Sequence, residues 1–209
     1  STPPLGLPMG GRGPRFTLGA EILDPLVVQV VVLEDGKGYR TLWVSMDMIG
    51  MSWQMTSRFR YELSSATGIP FEAIVINFSH THSGPMSGFE GYATTTEKPK
   101  ELEAYEMGLL PRTIEIVREA INNLQTVEVR VCRGTSEIGI NRRRVKADGS
   151  MGMGPNPKGY MNQDLWVLDL NADGGRCVLF NYGCHPVMVY GFAWDGISAD
   201  FPGVCRNQL

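Results

Sequence analysis

The segment INFSHTHSGP, residues 76–85, links an apolar run to a sharp break and holds two of the three histidines in this 209-residue sequence. The β-branched residues over 72–78 predict a buried strand, which the Ser83-Gly84-Pro85 sequence ends. In an extended backbone the side chains of residues i and i+2 point the same way, with Cα atoms roughly 6.5 Å apart. We therefore expect His80 and His82 to present two imidazoles to one side, where a single metal ion can bridge them.

The third histidine, His185, has a similar setting in LFNYGCHPV, where an apolar strand predicted over 176–184 ends. Pro186 biases the residue before it toward an extended backbone, which prolongs that strand to His185. If the two strands are parallel neighbours, their carboxyl ends share one edge of the sheet, where ligands of α/β proteins bind. Three imidazoles and an open position for water are typical of catalytic zinc. The alternative for each histidine is a hydrogen-bonded core residue, but the matching contexts favour the metal site.

Two carboxylates are predicted near the same edge. Asp47 ends a strand predicted over 40–48 and either caps a turn or accepts the second N–H of a metal-ligating histidine. Asp200 in ISADFPG precedes Pro202 and is expected to open a helix, with capping as its simplest role. Asp195 and Glu90 lie in predicted loops, and no feature of the sequence specifically places either of them at this edge.

Other polar groups are candidates for contact with a substrate. The backbone amides at Ser83 and Gly84 are placed to stabilise an oxyanion next to the histidines. Arg142 opens a basic run that is either a solvated edge or a source of a guanidinium for a carbonyl or carboxylate oxygen.

The remaining pattern predicts an α/β fold with mixed β-sheets flanked by helices and the metal site at the C-terminal ends of central strands. We expect one domain over 1–209, with an Asp-Gly-Lys-Gly hairpin between its first two strands. Apolar residues on both faces of the first strand predict a central position for it. Pro111 is expected to kink or divide the long helix. The predicted strands are 26–34, 40–48, 72–78, 126–134, 164–172 and 176–184, the helices 52–67 and 99–124, and the long loops 86–97 and 147–160.

Composition narrows the classes of function. The formal charge of −3 argues against a nucleic-acid surface, which needs a clustered basic footprint. No apolar run approaches the roughly 20 residues of a transmembrane helix, and the opening residues do not resemble a signal peptide. The four cysteines form no C-x-x-C pair, so buried thiols are the expected state, and cysteine usage leaves the compartment undecided.

Four motifs together carry a family resemblance: SHTHSGP, GINRR, NYGCHPV and ISADFPG, in this order and behind a Thr-Pro-Pro opening. They resemble the N-terminal catalytic domain of the neutral/alkaline, non-lysosomal ceramidases, from about residue 2 to the last residue. The resemblance implies that His80, His82 and His185 hold zinc and that Arg142 faces the substrate. It also implies secretion or a periplasmic location, and a further glutamate, tyrosine and serine motif beyond Leu209. We therefore expect the C-terminal portion of the enzyme to be missing and this chain alone to be a poor catalyst.

The sequence thus predicts a zinc-dependent hydrolase that cleaves the amide bond of a small or lipid-like substrate, as ceramidases cleave that between a sphingoid base and a fatty acid. A zinc esterase or amidase acting on a small polar substrate is the first alternative. A metal-binding or ligand-binding module without catalytic activity is the second.

Overall fold

The structure, a computed structural model, describes residues 1–11, 17–86 and 99–209. These residues form two compact units, one of 1–124 with 186–209 and one of 125–185. The loop predicted over 86–97, with Glu90, lies outside the described residues from position 87 onward. The expectation of one domain over 1–209 stays a prediction, and each unit is described by itself.

The first unit contains five strands and three α-helices among the described residues. Its strands are β1 (Glu21–Ile22), β2 (Val28–Glu34), β3 (Arg40–Met46), β4 (Ile74–Phe78) and β10 (Gly196–Ile197). Its helices are α1 (Trp53–Thr67), α2 (Lys100–Asn122) and α3 (Asp200–Gln208). The strands of the second unit are β5 (Glu128–Thr135), β6 (Arg143–Val145), β7 (Met151–Met153), β8 (Asp164–Ala172) and β9 (Gly175–Tyr182).

The main sheet of the first unit has the order β2-β3-β4, with β2 and β3 antiparallel and β3 and β4 parallel. The predicted hairpin is confirmed, because the Asp35 carboxylate accepts the N–H groups of Lys37 and Tyr39 at 2.8 Å each. The central position expected for the first strand is wrong. β3 occupies it instead, because β3 pairs with β2 through the hairpin and with β4 through the crossover helix α1.

Helix α1 has the ends that its sequence predicts. The Ser52 hydroxyl accepts the N–H of Met55 at 3.2 Å and so caps the first turn. Gly68 adopts a left-handed conformation at φ 75° and donates its N–H to the Ser64 carbonyl. The helix buries Phe59 and Leu63 in the core of the first unit.

Helix α2 runs unbroken through Pro111, so the predicted division of this helix is wrong. The absent N–H and the ring clash of an interior proline cost about 3 kcal/mol. Against this cost, the helix buries one continuous stripe along its length: Leu102, Glu106, Leu109, Thr113 and Val117. Burying a leucine or valine side chain contributes about 1.5–3 kcal/mol each, and this contribution favours a single helix.

A second, smaller cluster lies where the segments around the histidine motif meet. β1 and β10 pair in parallel, and the adjoining side chains of Met9, Leu26, Ile197 and Ala199 are buried together. This cluster joins the N-terminal segment to the ISAD segment of the sequence, both of which contact the histidine motif.

The second unit is an antiparallel sheet of order β5-β8-β9 with a separate β6–β7 hairpin. The strand predicted over 164–172 is confirmed without change in its bounds. The loop predicted over 147–160 is wrong for Met151–Met153, which pair with Arg143–Val145. Cys132 and Cys177 are exposed, which contradicts the expectation of buried thiols, whereas Cys184 and Cys205 are half-buried.

The mixed α/β fold with several sheets and flanking helices is as the sequence predicts, but the strand arrangement behind the site differs. β4 and β9 belong to different sheets, and each lies at the end of its strand order. The premise that they are parallel, central neighbours is therefore wrong. Among the described residues, no helix is long and apolar enough to cross a membrane.

Candidate metal centre

The His80-Thr81-His82 segment does not prolong β4, which ends at Phe78, and it leads into a turn at His82 and Ser83. His80 has φ 62°, in the left-handed region, so the extended geometry expected from the i, i+2 spacing is wrong. The residues that lead into this turn are held by the end of β3 and the residues after it: the N–H groups of Ser79 and His80 donate to the carbonyls of Met46 and Met48, each at 3.0 Å. The ring centroids of His80 and His82 nevertheless lie only 5.1 Å apart, with the rings at 80° to each other.

Backbone carbonyls orient both rings. Nδ1 of His80 lies 2.6 Å from the Ile49 carbonyl oxygen, and Nδ1 of His82 lies 2.8 Å from the Gly11 carbonyl oxygen. Since a carbonyl oxygen only accepts, Nδ1 is the donor in each ring and carries the proton. In the neutral form of each ring the lone pair is therefore on Nε2, and a metal ion would bind at that nitrogen.

Thr81, between the two histidines, anchors the turn from inside the protein. Its side chain is fully buried, and its hydroxyl donates to the Ser198 carbonyl at 2.7 Å. The same hydroxyl accepts the N–H of Ser83 at 3.1 Å, and the Ser83 carbonyl accepts the N–H of Ser198. The Ser83 amide, expected to stabilise an oxyanion, is thus engaged within the turn. Gly84 is buried, and its carbonyl accepts the N–H of Gly10.

The main chain next to His185 is held against the same turn. Pro186 is buried, and its carbonyl accepts the N–H of His82 at 3.2 Å. A peptide bond joins Pro186 to His185, which is half-buried. His80 and His82 belong to the first unit and His185 is the last residue of the second, and the roles of all three as metal ligands stay a prediction.

Asp47 has a partner that the sequence did not reveal. The buried carboxylate forms two bonds with the Arg206 guanidinium in α3, at 2.8 and 3.3 Å, and also accepts the N–H of Val27 at 3.0 Å. Asp47 was expected to accept an N–H of a ligating histidine, but main-chain carbonyls accept the Nδ1–H groups of His80 and His82 instead. Burial, and then the charge of Asp47, raise the pKa of Tyr105 well above its ordinary value.

Asp200 begins α3, as expected, but its side chain reaches outside the helix. The buried residue has φ 55° and accepts the N–H groups of Val189 and Phe201, at 2.8 and 2.7 Å. Asp24 is a further organising carboxylate that sequence reasoning missed. It accepts the N–H of Ala199 at 2.8 Å and the hydroxyl proton of Ser198.

Arg142 belongs to the second unit and precedes β6. It is half-buried, whereas Arg143 and Arg144 are exposed. The Arg142 carbonyl accepts the N–H of Gly154 at 3.1 Å. Its place in a substrate site stays a prediction, and Asp195 is exposed in a loop.

Two features near the histidines carry no signal in the sequence pattern. Gly11 has φ 70°, and a Cβ atom there would lie 2.4 Å from His82 Nδ1, so only glycine allows this close approach. Tyr190 places its ring centroid 5.9 Å from that of His82 and 5.5 Å from that of Trp194. Their distance along the chain from the histidine motif hides both contacts from a reading of local motifs.

Comparison with known proteins gives a match in structure alone. No protein-family model matches the sequence, and no curated protein does. A solved structure described as a ceramidase complexed with C2 superimposes with a TM-score of 0.71 at 19% identity, over 96% of this chain and 32% of the other. Neutral ceramidase from Pseudomonas aeruginosa gives a TM-score of 0.69 at 20% identity, over 97% of this chain and 33% of the other.

The chain therefore spans about a third of the length of these two structures. At this level of identity the likeness establishes the fold, and it confirms in that respect the resemblance that the four motifs predict. Over almost its whole length, this chain has the fold of a part of neutral ceramidase.

Proposed function

We propose that this chain is the metal-binding part of a ceramidase-like hydrolase that uses zinc to cleave an amide bond in a lipid-like substrate. The observation that carries the proposal is the pair of Nδ1–H contacts to the Ile49 and Gly11 carbonyls. These contacts leave Nε2 of His80 and of His82 as the nitrogen that can bind a metal ion. For the third imidazole we propose His185, the remaining histidine of the sequence.

The spacing of the two rings fits a shared ion. Two imidazoles bound through Nε2 to one tetrahedral zinc, at about 2.0–2.1 Å, have ring centroids roughly 5 Å apart. The observed 5.1 Å agrees with that requirement. Zinc, when bound in such a set, polarises a carbonyl group and lowers the pKa of water to about 7.

The protein's own contribution is to hold these imidazoles in one tautomer and one orientation. The rings need little rearrangement on binding because Thr81 and the Met48 carbonyl fix the turn that carries them. Such preorganisation matters for catalysis, since a misplacement of about 1 Å can reduce a rate about 100-fold.

Aromatic side chains beside His82 support an apolar substrate. Tyr190 lies between His82 and Trp194 in ring-to-ring contact, and Phe192 and Trp194 are exposed on the same segment. An acyl chain packed on these rings would have its amide group near the histidines. For Arg142 we propose contact with the substrate carbonyl, on the strength of the NRR motif.

Tautomers and zinc binding are tested first, without reference to activity. Long-range proton–nitrogen spectra of the metal-free protein should show Nδ1–H tautomers for His80 and His82. Zinc titration should show one site, which is lost in His80→Ala and in His82→Ala. The Cys132→Ser/Cys177→Ser variant is the matched control for adventitious binding to exposed thiols and should bind normally. Normal zinc binding by both histidine variants would refute the site.

Activity is then measured with the whole protein that contains this sequence, on long-chain N-acyl amides, short polar amides and esters. With the substrates dispersed in detergent rather than in a bilayer, we expect zinc-dependent cleavage of long-chain amides, reduced by Arg142→Gln but not by Arg143→Gln. Cleavage of only the polar amides or esters would replace the lipid-like substrate with the smaller class. Zinc binding with no cleavage of any of them would identify a module without catalytic activity.

A further inference from the structure

The β6–β7 hairpin has an exposed apolar face. Val145 pairs with Met151 across the two strands, and Arg143 pairs with Met153. Side chains opposite each other in an antiparallel pair lie on one face, so Val145 and both methionines form a continuous surface. They are 60%, 58% and 80% exposed, respectively.

The other face of the hairpin is basic. The stem of Lys146 lies across Gly152 in β7, and that of Arg144 lies across Gly154, the residue that follows β7. A Cβ atom at Gly152 would lie 2.7 Å from Lys146 Cε, and one at Gly154 would lie 3.2 Å from Arg144 Cδ. Glycine at both positions therefore leaves room for two long basic side chains on this face, whereas Arg143 stands on the first face beside the apolar residues.

The turn that joins the strands is tightly bonded. The N–H of Lys146 donates to the Ser150 carbonyl at 2.9 Å, and Gly149 takes φ 80°. The Asp148 carboxylate accepts both the hydroxyl and the N–H of Ser150, and these bonds hold the pKa of Asp148 below its ordinary value. The hairpin is thus a defined element, and the single acid in its sequence is engaged by the turn.

We propose that this hairpin docks on the surface of an anionic lipid bilayer. Charge complementarity selects this partner: Arg143, Arg144 and Lys146 concentrate three positive charges in a chain whose net charge is −3. Basic side chains beside an apolar face are the combination by which surface elements bind the bilayer interface. Each lysine or arginine near an anionic leaflet strengthens binding by about fivefold, so the three together give roughly 100-fold.

This surface is independent of the proposed hydrolase chemistry, because none of its residues is assigned to the metal centre or the substrate. A protein that draws a lipid-like amide from a membrane would gain from it. Its test requires neither zinc nor turnover.

The test is co-sedimentation with vesicles of phosphatidylcholine alone and of phosphatidylcholine with phosphatidylserine. We expect binding to the anionic vesicles. Arg144→Gln/Lys146→Gln should weaken this binding about 25-fold, and added salt should weaken it by screening the charges. Met151→Ser/Met153→Ser should also weaken it. The matched control is Val129→Ser/Val131→Ser, which replaces residues 57% and 67% exposed on β5 of the same unit and should bind as the unchanged protein does.

Absence of binding to anionic vesicles overturns the proposal, as does equal loss in the β5 control and the hairpin variants. Equal binding to neutral vesicles would also refute it, because the basic face would then contribute nothing. Zinc affinity, measured on the same variants, should be unchanged in all of them. If the unchanged protein binds anionic vesicles but does not bind zinc, the result counts against the hydrolase proposal alone.

Discussion

Replacing Gly11 with alanine should disturb His82 directly, although residue 11 is 71 positions away in the sequence. The added Cβ atom would lie 2.4 Å from His82 Nδ1 and 2.4 Å from Ile49 Cδ1. Unstrained contacts between such atoms need about 3.5 Å, so the ring must retreat by about 1 Å. That movement breaks the bond between His82 Nδ1–H and the Gly11 carbonyl, which is 2.8 Å long.

Two effects add in this variant. A residue with a side chain in the left-handed region costs about 1–2 kcal/mol, and overpacking costs about 1–3 kcal/mol more. Loss of the group that orients a metal-ligating histidine reduces metal affinity about 10- to 100-fold. We therefore expect Gly11→Ala to be less stable and to bind zinc at least tenfold more weakly.

Gly6→Ala is the matched control, because Gly6 has φ 87° but a Cβ atom there meets no atom within 4 Å. It carries the same backbone strain in the same N-terminal segment without touching His82. Denaturant unfolding measures the stability of both variants, and competition with a chelating dye measures their zinc affinity. If the two bind zinc equally well, the Gly11 carbonyl does not orient His82, and the reasoning fails.

Three further changes test the contacts around the site and the second unit. Arg206→Met leaves the buried Asp47 carboxylate without its cation, and we expect a loss of about 3–5 kcal/mol in denaturant unfolding. Thr81→Val removes a buried hydroxyl that bonds two main-chain groups and should cost about 1–3 kcal/mol, whereas Thr81→Ser should restore most of it. Arg176 holds the pKa of Asp169 below its ordinary value, so the pair stabilises the protein above the unfolded pKa, and this contribution is lost as pH falls through the folded one. Arg176→Gln should therefore lower stability at pH 7 and have no effect once the pH is below both values, and an equal loss at both would refute the linkage.

Much of the local structure follows from the sequence because short-range contacts determine it. Ser52 and Gly68 predict the ends of α1 since both caps bond within four residues. Asp35 predicts the β2–β3 hairpin for the same reason. The proposed metal centre was predicted as three histidines because imidazoles in this number suit zinc, although the extended geometry expected for His80 and His82 is wrong.

The position of Pro111 shows where such reasoning fails. Local propensity predicts a kink or a division, but the stripe from Leu102 to Val117 packs as one surface and favours a helix that is not divided. The same holds for the strand order, in which β3 takes the centre because of a crossover that no local pattern reveals.

Only the tertiary structure decided how the histidines are held. His80 turns through a positive φ, its ring donates to Ile49, and the ring of His82 donates to Gly11. Asp47, expected beside a histidine, is paired with Arg206, 159 residues away. The sequence by itself determined which side chains could bind a metal, because that depends on their chemistry. The orientation of the histidine rings depends on carbonyls that folding brings close to them. The sequence does not reveal these contacts, because segments that are distant along the chain leave no periodic pattern when they meet.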